Sequence, residues 1–355
     1  MNIAMVCPHY GYIKRGTENT TAQISKRLNH NVRIISLSTL PGLRKDRGLG
    51  KLSDSFFEKT LLGGFSRRWL GFNPNIEDIS FAKKAYNKIK WNIDEYDLLW
   101  SNGEYWCAKA ITKLGKKYNK PTVLFFGGGI SEMMYKEAKL LPDLFVVLTP
   151  EMEKQIKKYV PKCNVKCIPC GADLEKFKPT KKFKKYSHPI VVSTAAMIKD
   201  KRIKLIVDAM DELGKGTLFT TNTGPLEKEI VSYANKKLGK RYHHFGVIDY
   251  NKLPLFYGRA NVMVLASDHE PFGMTIIESM ACNTPVVVQR DRTRVWMIGN
   301  GGVVVKDITK KESLVGAIEL AYKHRFRNAP RKMAERFSWD NIAKQYEESI
   351  NELCS

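Results

Sequence analysis

Short apolar segments alternate with amphipathic segments along most of the chain. In the first half, the runs NIAMV, YDLLWS, PTVLFF and LFVVLT have the length and the β-branched or aromatic content of buried strands. Stretches with helical periodicity, such as CAKAITKLGKKY, lie between them. This alternation of strand and helix predicts a parallel sheet with helices on both faces.

The same alternation starts again after a break. Residues 176–189, KFKPTKKFKKYSHP, are rich in lysine and proline and have no periodicity, which is typical of a linker. After the break, IVVSTA, GTLFTTN, ANVMVLAS and TPVVVQ follow as strands. The sequence therefore predicts two doubly wound α/β domains, over residues 1–172 and 190–337, joined by residues 173–189.

The end of the chain, FSWDNIAKQYEESINEL, has apolar residues at helical spacing. Ser338 is placed to accept a hydrogen bond from the free N–H groups at the start of this helix. We expect the helix over about 338–355 and expect it to pack back on the N-terminal domain. Ligands of doubly wound domains bind beyond the carboxyl ends of the strands, so a cleft between the two domains is the expected site.

The composition is that of a packed globular protein, with 43% apolar and 27% charged residues. The initial MNIAMVC is typical of a strand, not of a signal peptide, and the seven cysteines have no paired spacing. Both features favour a reducing cytoplasm. No apolar run reaches the roughly 18 residues of a membrane span, so we expect a cytoplasmic protein that does not cross the membrane.

The formal net charge of +23 indicates an anionic partner or a general enrichment in lysine. Residues 42–72 mix arginine and lysine with phenylalanine, tryptophan and leucine. If this segment is exposed, it would suit an anionic membrane surface. If it is buried, its aromatic side chains would form part of the hydrophobic core. A nucleic-acid partner is not expected, because no recognition motif accompanies the charge.

Residues 270–288, EPFGMTIIESMACNTPVVV, place two glutamates eight positions apart around a predicted helix start. The strand ANVMVLAS comes just before, so residues 268–272 form the loop at its carboxyl end and the helix begins near Gly273. The free N–H groups of a helix start bind anions, and glycine lets a phosphate approach the backbone. A carboxylate repels phosphate, so Glu270 and Glu278 are better suited to accept hydrogen bonds from hydroxyls.

A nucleotide sugar has this arrangement, because its anionic diphosphate lies between the hydroxyls of the ribose and those of the hexose. Glutamates near a helix start have a simpler role as well, because they stabilise the helix dipole by roughly 0.3–1 kcal/mol. The two glutamates alone do not decide between these roles.

The longer sequence around the glutamates resembles the E-x7-E signature of retaining family-four glycosyltransferases, of the group 1 type, with the GT-B fold. Further segments are similar to the same family and occur in the same order: MNIAMVCPHYGYIKRGTENTTAQISKRL, VKCIPCGADLEKFKP, YHHFGVIDYNKLPLFYGRANVMVLAS and FSWDNIAKQYEESI. The resemblance covers nearly the whole chain. It implies two Rossmann-like domains facing a central cleft, and transfer of a hexose-type sugar from a UDP- or GDP-sugar to a hydroxyl of a glycan, lipid-linked or other carbohydrate acceptor.

The resemblance also implies roles for individual residues. Glu270 would hold the transferred sugar and Lys201 would neutralise the diphosphate, which makes these two the catalytic residues. Glu278 would hold the ribose hydroxyls. The other donor-binding residues are Arg202, Gly16 beside the phosphates, Val247 and Ile248 around the base, and Gly273, Met274 and Thr275 at the diphosphate and sugar.

Two departures from the family pattern leave questions open. Ala196 stands where the family usually has an arginine, and Lys199 and Arg202 are both candidates to replace it. Phe126, followed by glycines, stands where many relatives have a histidine. The reaction does not need that histidine if the departing phosphate oxygen takes the acceptor's proton. The alternative is a nucleotide-sugar-binding relative without turnover.

On the acceptor side we expect Asn102 and Glu104, after the strand YDLLWS, and Gly127 and Gly128, after the next strand. A solvated loop glutamate is the simpler explanation of Glu104. No metal or other cofactor is expected, because helix-end amides and basic side chains take the charge of the diphosphate. The frequent lipid-linked acceptors of the family, together with residues 42–72, predict peripheral attachment to the inner face of an anionic membrane.

Overall fold

The computed structural model describes residues 1–11, 16–40, 76–181 and 185–354. The chain forms two compact units. Unit 1 contains Met1–Ile168 and Ala343–Ser355, and unit 2 contains Pro169–Ile342. The basic and aromatic segment 42–72, on which the membrane prediction partly depends, lies outside the described residues.

Unit 1 is built on a six-stranded parallel sheet. Its elements are β1 (Asn2–Val6), α1 (Gly16–Ser25), β2 (Asn31–Ile35), α2 (Ile76–Trp91), β3 (Leu98–Asn102), α3 (Tyr105–Tyr118), β4 (Thr122–Phe126), α4 (Glu132–Ala138), β5 (Leu144–Val147), α5 (Pro150–Tyr159) and β6 (Val165–Cys167). The strand order is β2-β1-β3-β4-β5-β6. The order therefore reverses between β1 and β3.

Unit 2 has a second six-stranded parallel sheet. Its elements are β7 (Ile190–Ser193), α6 (Ile203–Glu212), β8 (Thr217–Thr220), α7 (Glu227–Leu238), β9 (Tyr242–His244), α8 (Leu253–Arg259), β10 (Val262–Leu265), α9 (Met274–Ala281), β11 (Val286–Gln289), α10 (Arg292–Ile298), β12 (Gly302–Val305), α11 (Lys311–Lys323) and α12 (Ala329–Glu335). The strand order β9-β8-β7-β10-β11-β12 is that of the dinucleotide-binding fold. The prediction of two doubly wound α/β domains is confirmed.

The strands are continuous apolar runs because they are buried on both faces of the sheet. All five residues of β4 are buried, as expected for a parallel sheet that helices cover on both faces. The helices are amphipathic instead. On α3, Cys107, Ile111 and Leu114 are buried while Lys113 is exposed, so one apolar face packs on the sheet.

The last helix, α13 (Trp339–Cys354), begins in unit 2 and ends in unit 1. Its predicted N-cap is confirmed, because the Asn341 N–H donates to Ser338 Oγ at 3.1 Å. Further along the helix, the ring of Tyr346 lies 5.0 Å from that of Trp100 in β3. In the ranges that the structure describes, no helix combines the length and the hydrophobicity that a bilayer span requires.

Candidate functional site

The strand order of unit 2 reverses between β7 and β10. Ligands of doubly wound sheets bind beyond the carboxyl ends of the strands at such a point. The loops that follow β7 and β10 are held together there, because the Asp268 N–H donates to the carbonyl oxygen of Asp200 at 2.9 Å. This edge of unit 2 is therefore the expected position of a ligand site.

Two ion pairs connect the same loops. Lys201 Nζ lies 2.6 Å from Glu270 Oε2, and the two side chains are only 19% and 17% exposed. Arg202 Nη2 lies 2.8 Å from Asp268 Oδ1 in a more exposed position. The structure thus brings together the two residues to which the family resemblance gives catalytic roles. Each of the two charges neutralises the other.

Gly273 stands directly before α9 with a φ of +99°, which side chains rarely adopt. A Cβ at this position would lie 2.8 Å from Ile276 Cδ1 and 3.4 Å from Glu270 Cγ. The amides of Met274 and Thr275 begin the helix and have no carbonyl of an earlier turn to donate to. The helix start predicted near Gly273 is confirmed, and it lies beside Glu270.

Glu278 lies on the second turn of α9 and is only 4% exposed. The Tyr257 hydroxyl donates to Glu278 Oε2 at 3.4 Å and also contacts Thr194 Oγ1 at 2.7 Å. Burial raises the pKa of Glu278 to about 7, although hydrogen bonds from Tyr250 and Tyr257 and the charge of Lys176 act in the opposite direction. A carboxyl group with this pKa changes its charge near neutral pH.

The tyrosines around Glu278 were not predicted from the sequence. Tyr250 begins a short 3-10 turn that runs directly into α8, and Tyr257 lies near the end of α8. They are seven residues apart, which is two helical turns and places both on one face. That spacing is a signal in the sequence that could have identified them as a pair.

Val247 and Ile248 lie in the loop after β9, two strands away from β7. Val247 is 71% exposed and Ile248 is partly buried. Beside them Phe245 is also exposed, and its ring lies 4.9 Å from the ring of Phe256. The loop therefore presents apolar surface at the same edge of the sheet as Lys201.

Lys199 and Arg202 were both candidates to replace the arginine missing at Ala196. Lys199 is exposed. Arg202, in contrast, holds Asp268, two residues from Glu270. Of the two, Arg202 is the one whose guanidinium group contacts the loop after β10.

A third basic residue of this edge was not predicted. Arg294, on α10 after β11, is completely buried, and its Nη1 donates to the carbonyl oxygen of Gln289 at 3.2 Å. Burial lowers the pKa of Arg294, while the negative charges of Asp291, Glu270 and Asp268 oppose this effect. Arginine stays protonated in proteins, so the first turn of α10 carries a buried positive charge. Nothing in QRDRTR distinguishes this arginine from its exposed neighbours, since the difference is burial.

In unit 1, the predicted glycines lie near the reversal of strand order between β1 and β3. Gly16 is the first residue of α1. A Cβ at Gly127, after β4, would lie 2.8 Å from Thr17 Oγ1, so the end of β4 closely approaches the first turn of α1. A Cβ at Gly128 would lie 2.8 Å from the ring of Phe126. At both positions a Cβ would require a neighbouring side chain to shift.

Asn102 has an internal role that the sequence did not indicate. Its Nδ2 donates to Thr21 Oγ1 at 2.7 Å, and its Oδ1 accepts from Trp100 Nε1 at 2.6 Å. The side chain is buried and joins β3 to α1. Glu104, in contrast, is exposed with a φ of 62°, which is uncommon for a residue other than glycine. Of the two acceptor-side candidates at the end of β3, only Glu104 faces solvent.

Within the described part of the chain, no group of three or more His, Cys, Asp or Glu side chains is arranged to hold a metal ion. The expectation that the protein needs no metal stays a prediction.

The family described as glycosyl transferases group 1 matches residues 175–338, which lie in unit 2. A relative from Thermosipho melanesiensis, named "Probable sucrose-phosphate synthase", is 27% identical over 228 residues, which are 57% of this chain and 53% of the relative. A GDP-mannose-dependent alpha-(1-6)-phosphatidylinositol dimannoside mannosyltransferase of Mycobacterium tuberculosis is 24% identical over 51% of this chain and 50% of its own length. The chain thus spans about half the length of these relatives.

Solved structures match almost the whole chain. Sucrose-phosphate synthase from Thermosynechococcus elongatus has a TM-score of 0.75 at 20% identity, over 99% of this chain and 98% of that one. Anabaena Alr3699/HepE, in complex with UDP-glucose, has a TM-score of 0.69 at 15% identity, over 99% and 100%. These similarities show that the fold is GT-B. The family match over residues 175–338 gives unit 2 the similarity to group 1 glycosyl transferases.

Proposed function

We propose that the protein transfers a hexose-type sugar from a UDP- or GDP-sugar to an acceptor hydroxyl, with retention of the anomeric configuration. The observation that carries this proposal is the 2.6 Å contact of Lys201 with Glu270 at the switch point of unit 2, beside the start of α9. The names of similar proteins support the donor class. One solved neighbour holds UDP-glucose, and one relative is named as GDP-mannose-dependent.

In the proposed complex, the diphosphate lies against the amides of Met274 and Thr275. Lys201 turns from Glu270 to the phosphate oxygens, so Glu270 becomes free to accept hydrogen bonds from the sugar hydroxyls. Glu278 accepts hydrogen bonds from the ribose. These contacts explain why basic, amide and acidic groups lie so close together at one edge of the sheet.

The chemical step breaks the bond between the anomeric carbon and the phosphate oxygen. The leaving diphosphate gains negative charge, which the helix amides and Lys201 stabilise. The acceptor oxygen forms its new bond to the anomeric carbon on the face that the diphosphate leaves, and its proton passes to the departing phosphate oxygen. In this scheme the protein supplies orientation and charge stabilisation, so it needs no histidine at the position of Phe126.

The experiment is a thermal-shift screen of UDP- and GDP-sugars, followed by turnover with the donors that bind. A donor at 100 times its dissociation constant should stabilise the protein by about 2.7 kcal/mol. Released UDP or GDP then measures hydrolysis or transfer, and proton NMR of the product gives the anomeric configuration. Binding without release would favour the relative without turnover, and a screen in which no donor binds would refute both.

Chelation tests the expected independence of metal. Turnover in excess EDTA should equal turnover without it, because the amides of α9 and Lys201 carry the diphosphate's charge. A loss that added Mg²⁺ or Mn²⁺ restores would show that a metal ion shares this task.

Donor affinity should fall as the pH is lowered through about 7. Because the folded-state pKa of Glu278 is about 7, the group is largely protonated at pH 6, and a protonated carboxyl accepts hydroxyl hydrogen bonds less well. The donor's dissociation constant should therefore rise about tenfold between pH 8 and pH 6. Calorimetry with UDP or GDP measures this, and Glu278→Gln should bind weakly with little pH dependence.

The stability of the free protein should follow pH with the opposite sign. The folded-state pKa of Glu278 is raised above the ordinary 4.5, so between about pH 4.5 and 7 the folded state binds more protons than the unfolded state. The contribution of Glu278 to the free energy of unfolding therefore falls as pH rises through this window. Urea unfolding of the wild type and Glu278→Gln isolates this slope. Equal slopes, with pH-independent donor affinity, would contradict the role of Glu278.

A further inference from the structure

Asn222 connects the ends of three neighbouring strands in unit 2. It follows β8, which lies between β7 and β9 in the sheet. Its side-chain Nδ2 donates to the carbonyl oxygen of Thr194, after β7, at 2.7 Å. Its backbone N–H donates to the carbonyl oxygen of Gly246, after β9, at 2.6 Å. Asn222 has a φ of 75°, a left-handed conformation that persists where surrounding contacts hold it, as these two hydrogen bonds do.

On the β7 side, the hydrogen bonds continue to Glu278. Thr194 is only 5% exposed, and its hydroxyl contacts the Tyr257 hydroxyl at 2.7 Å. The Tyr257 hydroxyl in turn donates to Glu278 Oε2 at 3.4 Å. Each hydroxyl has one hydrogen, so when Tyr257 donates to Glu278, the Thr194 hydroxyl donates to Tyr257. Thr194 thus contacts Asn222 through its carbonyl oxygen and is connected to Glu278 through its hydroxyl.

On the β9 side, Asn222 holds the start of residues 246–248, which we call the base loop. Gly246 has a φ of +60°, and no described residue beyond its chain neighbours comes within 4 Å of a Cβ added there. Val247, the next residue, is 71% exposed. Packing at these two residues fixes the base loop only weakly, which leaves a larger share to the hydrogen bond from Asn222.

We propose that Asn222 is a positioning residue, which sets the distance between Glu278 and the base loop and so takes part in the choice of the donor's base. A nucleoside is short and stiff, because its base is bonded directly to the ribose. Both halves bind at once only if their two sites keep the matching separation. Purines and pyrimidines differ in size, so one separation favours one class of base. The inference rests on the proposed function, with the ribose at Glu278 and the nucleotide base at the base loop.

The test is the ratio of the dissociation constants of UDP and GDP, measured by calorimetry. Asn222→Gly accepts the left-handed conformation and keeps the backbone N–H, but it loses the hydrogen bond to Thr194. The better-bound nucleotide should lose about tenfold in affinity, and the ratio should move about fivefold toward one. A variant with the wild-type ratio, or a wild type that binds both nucleotides equally, would overturn the role in base choice.

Inorganic pyrophosphate shows whether the loss is confined to the nucleoside. In the proposed complex it reaches only Lys201 and the start of α9, so Asn222→Gly should bind it with wild-type affinity. A loss for pyrophosphate as large as that for the better-bound nucleotide would indicate general damage to the site, and the proposal would be wrong.

Asn222→Asp is a second variant, with nearly the same shape as the wild-type side chain. A carboxylate has no hydrogen to donate to the Thr194 carbonyl, so the ratio should move as it does in Asn222→Gly. If only Asn222→Asp changes the ratio, the added charge is responsible and the positioning role is refuted. If Asn222→Gly does not fold, a wild-type ratio in Asn222→Asp overturns the proposal.

Asn283→Gly is the matched control. Asn283 also has a left-handed conformation, with a φ of 55°, and its Nδ2 donates to the carbonyl oxygen of Arg327 at 2.8 Å. It lies in the turn between α9 and β11, at the amino edge of the sheet. The substitution removes the same kind of hydrogen bond away from the base loop, so the ratio should stay at its wild-type value. An equal change of the ratio in Asn283→Gly and Asn222→Gly would contradict a specific role of Asn222.

Hydrogen exchange separates this proposal from the proposed function. If the wild type binds neither UDP nor GDP, the function fails, but the effect of Asn222 on the base loop is still measurable. Amide exchange over residues 245–249 should be about tenfold faster in Asn222→Gly than in Asn283→Gly. Equal exchange rates in the two variants would overturn the positioning role, whatever the ligand.

Discussion

Replacing Lys201 by alanine should lower kcat by about 100- to 1,000-fold, the usual effect of removing one group that stabilises developing negative charge. Lys201 is the basic side chain that contacts Glu270 at the switch point, so it is the cation placed to neutralise the leaving diphosphate. The substitution also leaves the Glu270 carboxylate without its ion-pair partner. Steady-state kinetics with the donor identified by the thermal-shift screen measure the effect.

Lys204→Ala is the control for this prediction. Lys204 is three residues further along, on α6, and pairs with Glu229 at 2.5 Å in an exposed position. Surface pairs of this kind contribute little, so stability and kcat should stay close to wild type. Comparable kcat values for Lys201→Ala and Lys204→Ala would show that Lys201 does not take part in the reaction.

The architecture could be predicted because the buried strands of a parallel sheet have a simple sequence pattern. Strands covered on both faces read as continuous apolar runs, and runs such as PTVLFF and TPVVVQ correspond to β4 and β11. The contact of Lys201 with Glu270 also follows from topology. These residues are 69 positions apart, but a doubly wound sheet places the ends of β7 and β10 side by side.

What the sequence missed depends on the direction and burial of single side chains. Asn102 has the same chemical groups whether it faces a ligand or, as here, joins β3 to α1 from inside. Arg294 lies among exposed arginines, and only its complete burial identifies it. Periodicity cannot supply this information for loops and helix ends, because their side chains follow no regular repeat.

Gly273→Ala should weaken donor binding by about 100-fold, because it acts on the amides that bind the diphosphate, and each charge-assisted hydrogen bond contributes about 1.5–3 kcal/mol. The φ of +99° strains any residue with a side chain. The new methyl group would also lie 2.8 Å from Ile276 Cδ1 and 3.4 Å from Glu270 Cγ. The Ile276 side chain must therefore shift, and the strain at this φ displaces the first amides of the helix. Calorimetry with UDP or GDP gives the loss directly.

Gly214→Ala separates the loss of binding from backbone strain. Gly214 has a φ of +67°, and nothing lies within 4 Å of its added Cβ. It lies in the turn between α6 and β8, at the amino end of the strand and so away from Lys201. Both variants should lose about 1 to 2 kcal/mol of stability from the left-handed conformation, but only Gly273→Ala should lose donor affinity. If it binds UDP and GDP as tightly as Gly214→Ala does, the start of α9 does not hold the diphosphate, and the donor must bind to other groups of unit 2.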